Sequence, residues 1–338
     1  MTDRALVVQT SFIGDTVLTT PLIQRLAARQ AVDVVVTPTS APLLANHRAV
    51  AEVIIYDKRG SDRGIAGFVR LARRLRERRY TAAYLAQGSM RSAALVLAAG
   101  VPARVGFETS AGRRLYTERV PYIENDHHAA RLLRLAGAGN DEPLRPRLYP
   151  GAAEREMVDT LLRRASGDEA PLIALAPGSV WATKRWPHYA DLATELAGRI
   201  VIVGSGADRE LASQIVGAVG PRAIDATGEL SLLASAELIG RASVLVTNDS
   251  APLHLASAMQ TPTVAIFGPT VPQFGFGPLA ARSIVLGQSA LACRPCDRHG
   301  PQRCPLGHWR CMREITPRQV AAAVQELVAQ PPLPTSSR

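Results

Sequence analysis

The chain has 338 residues, 47% of them hydrophobic and 20% charged, with a net charge of +10. That balance excludes a disordered protein, and the length suggests two domains of ~150 residues each. The basic excess favours acidic partners, but aromatics are only 5% and no nucleic-acid-binding motif is present, so phosphorylated substrates or an anionic membrane surface are expected and nucleic acid is not.

The opening residues, MTDRALVVQT, carry a short apolar run that breaks at Gln9. It lacks the h-region and cleavage site of a secretion signal, so it reads as a first strand and the protein as cytoplasmic. The longest smooth apolar run, Ala93 to Val101, is far short of the ~18 residues of a membrane span. Further strands are expected at 32–36, 53–56, 82–85 and 103–107. Helices are expected at 18–29, along the stripe Ile65, Phe68, Val69, Ala72 and Leu75, and at 93–99 and 127–136. Residues 137–151, GAGNDEPLRPRLYPG, read as a linker.

The alternation then restarts. Helices are expected at 153–165, 188–197, 208–219, 230–241, 251–259 and 317–329. Strands are expected at 172–176, 200–203, 223–225, 244–247 and 263–267. Two such halves predict an α/β fold of two doubly wound, Rossmann-like domains facing one another across a cleft. The first domain is placed at 1–145 and the second at 152–316, with a closing helix at 317–330 and a disordered tail at 331–338.

Ligands of such domains bind at the carboxyl ends of strands, so the loops there come first. In QTSFIGDTVLTTP, residues 9–21, Gly14 permits a close turn and Asp15 stands before a helix. Asp15 is either a helix cap or a general base, and the two roles are compatible. In ALAPGSVWATKRWPHY, residues 174–189, Ser179, Thr183, Lys184 and Arg185 sit beside a turn and a helix start, a plausible diphosphate clamp or a solvated basic loop. In TNDSAPLHLASA, residues 247–258, Asp249 and Ser250 open a helix, and His254 follows Ser250 by one turn on the same face. Asp249 would repel a phosphate, so it is expected to take hydrogen bonds from loop amides or a sugar hydroxyl. No G-x-G-x-x-G loop follows the first strand and no Walker A pattern occurs, which lowers dehydrogenase and P-loop readings.

All four cysteines share one window, Cys293, Cys296, Cys304 and Cys311, spaced C-x2-C-x7-C-x6-C. They are read either as a structural zinc site or as packed, reduced thiols of a Pro-rich loop. The run RLARRLRERR at 70–79 has six arginines. It is a solvated helix face or a patch for anionic headgroups.

SFIGDTVLTTP, APGSVWATKRWP, TNDSAPLHLASAMQTPTVAIFGPT and CPLGHWRCMREITP, in that order, together resemble the ADP-heptose:lipopolysaccharide heptosyltransferases of glycosyltransferase family 9, most nearly those of the heptosyltransferase II type. The resemblance implies a GT-B fold and an inverting, metal-independent transfer of heptose from ADP-L-glycero-β-D-manno-heptose. The implied acceptor is the inner core of lipid A, on its first heptose. Asp15 then matches the catalytic base and Lys184 the lysine on the donor diphosphate. Asp249, Ser250, Ala251 and His254 match the donor-holding loop and helix start, and Glu210 an acidic residue near the nucleoside. Ser179 and Thr183 join the donor set. Ser11, Gly14, Arg104 and Arg113 are placed on the acceptor side. No cofactor is required, and peripheral contact with the inner face of the membrane is expected. Two other readings stay open: a GT-B enzyme with another nucleotide sugar, and a non-catalytic binder of nucleotide or lipopolysaccharide core.

Overall fold

The computed structural model describes residues 3–137, 145–164 and 170–330. Contacts divide the chain after Tyr149 into two units, Met1–Tyr149 and Pro150–Arg338. The expected tail at 331–338 and residues 138–144 of the expected linker lie outside the described residues.

The first unit runs β1 (Arg4–Gln9), α1 (Ile13–Ala27), β2 (Ala31–Val36), β3 (Glu52–Ile55), α2 (Gly64–Glu77), β4 (Ala82–Leu85), α3 (Met90–Ala98), β5 (Ala103–Phe107), β6 (Glu118–Val120) and α4 (His128–Arg134). Its six strands lie in the order β3-β2-β1-β4-β5-β6. The pairings are parallel throughout. Central strands such as β1 are buried along five of six residues, as a parallel sheet covered on both faces requires. Leu6, Val8 and Leu85 pack on one face with Leu71, Leu75 and Leu95. Val7, Val34 and Val36 pack on the other with Leu22, Ile23 and Leu132.

One charge is inside this sheet. Asp33 in β2 is fully buried, and it accepts from Arg4 Nη1 at 2.8 Å and from the Tyr80 hydroxyl at 2.7 Å. Arg78 reaches both Asp33 and Glu52, while Arg74 pairs with Glu52 and Arg70 with Asp62. Half of the arginine run is thus bonded to acids of its own unit. That supports a structural helix face for these three side chains.

The second unit runs α5 (Ala152–Leu162), β7 (Leu172–Ala176), α6 (Tyr189–Glu195), β8 (Arg199–Ile202), α7 (Arg209–Val219), β9 (Ala223–Asp225), α8 (Leu232–Arg241), β10 (Val244–Asn248), α9 (Ala251–Met259), β11 (Thr263–Ile266), β12 (Ser283–Leu286), α10 (Arg310–Arg313) and α11 (Pro317–Ala329). Its strand order, β12-β11-β10-β7-β8-β9, repeats that of the first sheet when the strands are counted from β7. Strands β6 and β12 were not expected from the sequence. They are short edge strands, and β12 has no buried residue. The closing helix is no appendage: Val320, Val324 and Leu327 of α11 share one core with Ile173, Val246 and Ile266. No helix among the described residues is long and apolar enough to cross a membrane.

Each sheet has one place where the chain reverses its direction of strand addition, between β1 and β4 and between β7 and β10. Loops leaving such neighbours diverge to opposite faces and open a crevice at their carboxyl ends.

Candidate active site

In the first unit the crevice lies between the loops after β1 and β4. Gln9 closes β1, and its side chain donates to Thr19 Oγ1 at 3.1 Å and accepts the Ser11 N–H at 3.2 Å. Thr10 Oγ1 donates to Gln87 Oε1 at 2.5 Å, joining the two loops. Lys58, from the loop after β3, donates to the Thr10 carbonyl at 2.8 Å. Burial, with Arg59 and Arg91 nearby, holds its ammonium below the ordinary lysine range.

Asp15 is not in front of its helix. α1 starts at Ile13, five residues earlier than expected, and Asp15 is its third residue. Its Oδ2 accepts the Phe12 N–H at 3.3 Å, so it closes the first turn from inside. Its Oδ1 faces His128 Nε2 at 3.8 Å. The polar residues of this helix hid its start. Thr16, Thr19 and Thr20 turn their hydroxyls back onto the carbonyls of Phe12, Asp15 and Val17, which lets them sit in a buried helix. Ser11 and Gly14 flank Asp15 at the same sheet end, and Phe12 between them is 56% exposed.

The two arginines expected on the acceptor side part company. Arg113 lies in the loop after β5, which is tied to the β4 loop by the bond from Ala111 N–H to the Gly88 carbonyl. Arg104 does not join it. It is the second residue of β5, near the amino end of the sheet, and its guanidinium donates to the carbonyls of Val101, Pro102 and Leu115. Arg104 therefore holds a turn together away from Asp15. Lys58, which the sequence reading does not single out, is tied to the loop after β1 through the Thr10 carbonyl.

In the second unit β7 ends into Pro177-Gly178-Ser179 and β10 into Asn248-Asp249-Ser250. Asn248 is fully buried. Its amide donates to the Pro177 carbonyl at 2.8 Å, and its Oδ1 accepts the Trp186 N–H at 3.2 Å. One side chain thus fixes both ends of the Lys184 loop. Lys184 Nζ donates to Asp249 Oδ2 at 2.6 Å, and Thr270 Oγ1 donates to the same oxygen at 2.6 Å. Both members of the ion pair are only 8% exposed. Asp249 is therefore the residue that aims Lys184. An ammonium has three N–H donors, and one of them is spent on Asp249.

Ser250 caps α9 with extended backbone, yet its hydroxyl makes no cap bond. Its Oγ is buried and has no hydrogen-bond partner among the described residues. Pro252 brings no N–H, and Leu253 N–H turns back to the Ser250 carbonyl, so fewer helix amides are offered here than the sequence suggested. Ala251 opens the helix. His254 is buried one turn on, edge-on to Phe276. Asp208 accepts from Ser205 N–H and Oγ, both at 2.8 Å, and abuts Gly178. Glu210 is exposed on the first turn of α7.

Thr183 and Ser179 are less available than expected. The Thr183 hydroxyl donates to the Pro301 carbonyl, and Ser179 Oγ accepts the Trp181 N–H at 3.3 Å. The cysteine-bearing loop is the scaffold here. Gln302 bonds Ala182 N–H and the Val180 carbonyl, and Trp181 stacks on His299. Arg294 donates to the carbonyls of Phe267 and Thr270 at 3.0 Å each. The loop thereby braces both the Lys184 and the Thr270 sides of the cluster.

Its cysteines are free thiols. Cys293, Cys296 and Cys304 line one cavity of about 290 Å³. Of the two readings of these cysteines, the zinc site finds no ligand set: among the described residues no group of three or more His, Cys, Asp or Glu is arranged to hold a metal ion. The sulfurs face other partners. Cys296 Sγ donates to the Cys293 carbonyl, and Cys293 Sγ is 3.9 Å from His308 Nε2. Burial pushes the Cys311 thiol up to about 11 and also raises Cys296. Burial works the same way on Cys304, but the N–H groups of Trp309, Leu306, His308 and Gly307 outweigh it and hold that thiol below its ordinary value.

Two parallel sheets of one strand order, each with polar side chains gathered at its point of reversal, define an α/β protein of two Rossmann-like units. The chain belongs to glycosyltransferase family 9: the family model, described as glycosyltransferase family 9 (heptosyltransferase), matches residues 68–307. It is thus a glycosyltransferase, and its fold is of the GT-B class found in that family. It is 29% identical to the lipopolysaccharide heptosyltransferase 2 of Escherichia coli K12, over 97% of this chain and 99% of that one. It is also 29% identical to the lipopolysaccharide heptosyltransferase 1 of Pseudomonas aeruginosa, with the same coverage. Among solved structures it resembles the E. coli ADP-heptose LPS heptosyltransferase II, with a TM-score of 0.78 and 28% identity over 96% of this chain and 98% of that one.

Proposed function

We propose that this enzyme transfers heptose from ADP-L-glycero-β-D-manno-heptose to the inner core of lipopolysaccharide, onto the first heptose of the lipid A–Kdo2–heptose acceptor, with inversion and without a metal. The observation that carries the reading is the buried Lys184 ammonium held 2.6 Å from Asp249 where β7 and β10 diverge. The start of α9 and the unpartnered Ser250 Oγ adjoin Asp249 in the chain. Together they offer a cation, a helix start and a hydroxyl to a diphosphate. The full-length likeness to lipopolysaccharide heptosyltransferases supports this donor and this acceptor class.

In this reading Asp15 takes the proton of the acceptor hydroxyl as its oxygen bonds to C1 of the heptose. The bond from C1 to the phosphate oxygen breaks, and its electron pair leaves with ADP. One displacement gives inversion. Negative charge grows on the leaving diphosphate, and Lys184, Ser250 and the Ala251 amide meet it, so no step needs a metal. Ser179, Thr183, Glu210 and His254 complete the donor side. Ser11, Gly14 and Arg113 serve the acceptor. A lipid-borne acceptor accords with work at the inner face of the membrane, and the net positive charge would favour its anionic headgroups.

Calorimetric titration with ADP and UDP in EDTA tests the donor. ADP is expected to bind at least about tenfold tighter than UDP, a difference of about 1.4 kcal/mol. Equal affinities would favour the reading with another nucleotide sugar, and loss of ADP binding in EDTA would overturn the metal-free clamp.

A further inference from the structure

His128 is the first residue of α4, and its side chain is 13% exposed while that of Asp15 is 16% exposed. It does not cap its helix. His127 does that, with Nδ1 accepting the Ala129 N–H at 3.2 Å. The two histidines thus divide the work: one ends the loop, and the other turns toward α1. There its Nε2 faces Asp15 Oδ1 at 3.8 Å, while the other carboxylate oxygen is taken by the Phe12 N–H.

A histidinium at this place would form a standing ion pair with Asp15 and spoil it as a base. The surroundings work against that state. Burial, first of all, holds the imidazole below its ordinary value; Asp15 from α1 opposes this, and Arg131 on α4 adds to it. The amino end of a helix also disfavours a cation. A neutral imidazole has one N–H. Placed on Nε2, that proton sits on the ring atom 3.8 Å from the carboxylate, and about 1 Å of closure brings the pair to hydrogen-bond distance. Such bonds are often long before substrate binds.

We propose that His128 is a positioning residue for the transfer: its Nε2–H holds one oxygen of Asp15 while the Phe12 amide holds the other, fixing the plane of the carboxylate toward the acceptor hydroxyl. This rests on Asp15 being the base, and it gives His128 a role exerted through Asp15.

The test compares wild type, Asp15→Asn, His128→Leu, His128→Gln and His128→Asn in transfer from ADP-heptose to a heptosylated lipid A core. Gln can set an N–H near the place of Nε2; Asn is too short. A carboxylate freed to rotate by about 1 Å costs up to roughly 100-fold in kcat. His128→Leu and His128→Asn are expected to lose between about 10-fold and 100-fold in kcat with KM for ADP-heptose held within about twofold, and His128→Gln to recover to within about threefold of wild type. Wild-type kcat in His128→Leu, or a Gln variant as slow as the Asn variant, overturns the inference. If His128→Leu does not fold, the Gln and Asn pair decides. The base assignment fails separately, by an Asp15→Asn enzyme that keeps its activity.

Discussion

Removing the Asp249 carboxylate leaves the Lys184 ammonium where about a tenth of its side chain meets water. Breaking a buried pair from one side typically costs about 3–5 kcal/mol, whereas replacing both partners is often close to neutral. Asp249→Asn is therefore expected to destabilise the second unit by about 3 kcal/mol, since Thr270 keeps an acceptor and Lys184 loses its counter-charge. Lys184→Met should cost a similar amount, because it strands a carboxylate that keeps, among the described residues, the Thr270 hydroxyl and no cation. The double variant should cost no more than about 3–4 kcal/mol, roughly what either single change costs, a coupling of about 2–3 kcal/mol. The assay is built into the chain. All three tryptophans, Trp181, Trp186 and Trp309, lie in the second unit, so fluorescence in a urea titration follows that unit alone. Additivity within about 0.5 kcal/mol would refute the claim that the two charges depend on each other. The same variants separate aiming from holding. Lys184→Met should weaken ADP binding by about 10-fold or more through loss of a charge-assisted bond, and Asp249→Asn should weaken it too because Lys184 is no longer aimed.

Three further outcomes follow from the packing and the charges. A Cβ at Gly178 would stand 2.4 Å from Asp208 Oδ1; Gly178→Ala should cost about 1–3 kcal/mol and loosen nucleotide binding, read by melting and titration. Cys304 should be alkylated first by iodoacetamide near pH 7 and Cys311 last, read by peptide mass spectrometry, because the thiolate is the nucleophile and only Cys304 of the shifted thiols is lowered. His47, buried against Tyr149, is held at about 4 by desolvation, against 6.5 when unfolded. A depressed folded value means full stability above pH 6.5 and loss as pH falls toward 4, at most roughly 3 kcal/mol. His47→Asn, which keeps an acceptor for the Ala49 N–H, should flatten that slope in a denaturant series followed by circular dichroism.

The alternation of apolar strands and helical stripes made both sheets legible, because parallel strands buried on two faces read as runs of Val, Ile, Leu and Ala. The same rule drew attention to Asp15, Lys184 and Asp249, each just past such a run. What the sequence hid lies in tertiary partners. The bond from the Thr183 hydroxyl to the carbonyl of Pro301, more than a hundred residues away, has no local signature. Arg104 looks like an acceptor contact until three carbonyls claim it. The role of the cysteine loop as a brace for the Lys184 loop has no local signature, since Gln302 and Arg294 act across the fold. Edge strands β6 and β12 escaped because they bury too little to leave a hydrophobic pattern. The neighbours His127 and His128 cannot share one helix face, and the structure assigns each its side.

The central claim is that Asp15 deprotonates an acceptor while the second unit holds ADP-heptose. It is tested most directly by ADP release from ADP-heptose in EDTA, with and without a lipid A core bearing one heptose, for wild type and Asp15→Asn. The account predicts release that depends on the acceptor in wild type and is lost in Asp15→Asn, while that variant still binds ADP. No release from folded wild type supplied with a competent acceptor, or undiminished release from Asp15→Asn, would contradict it.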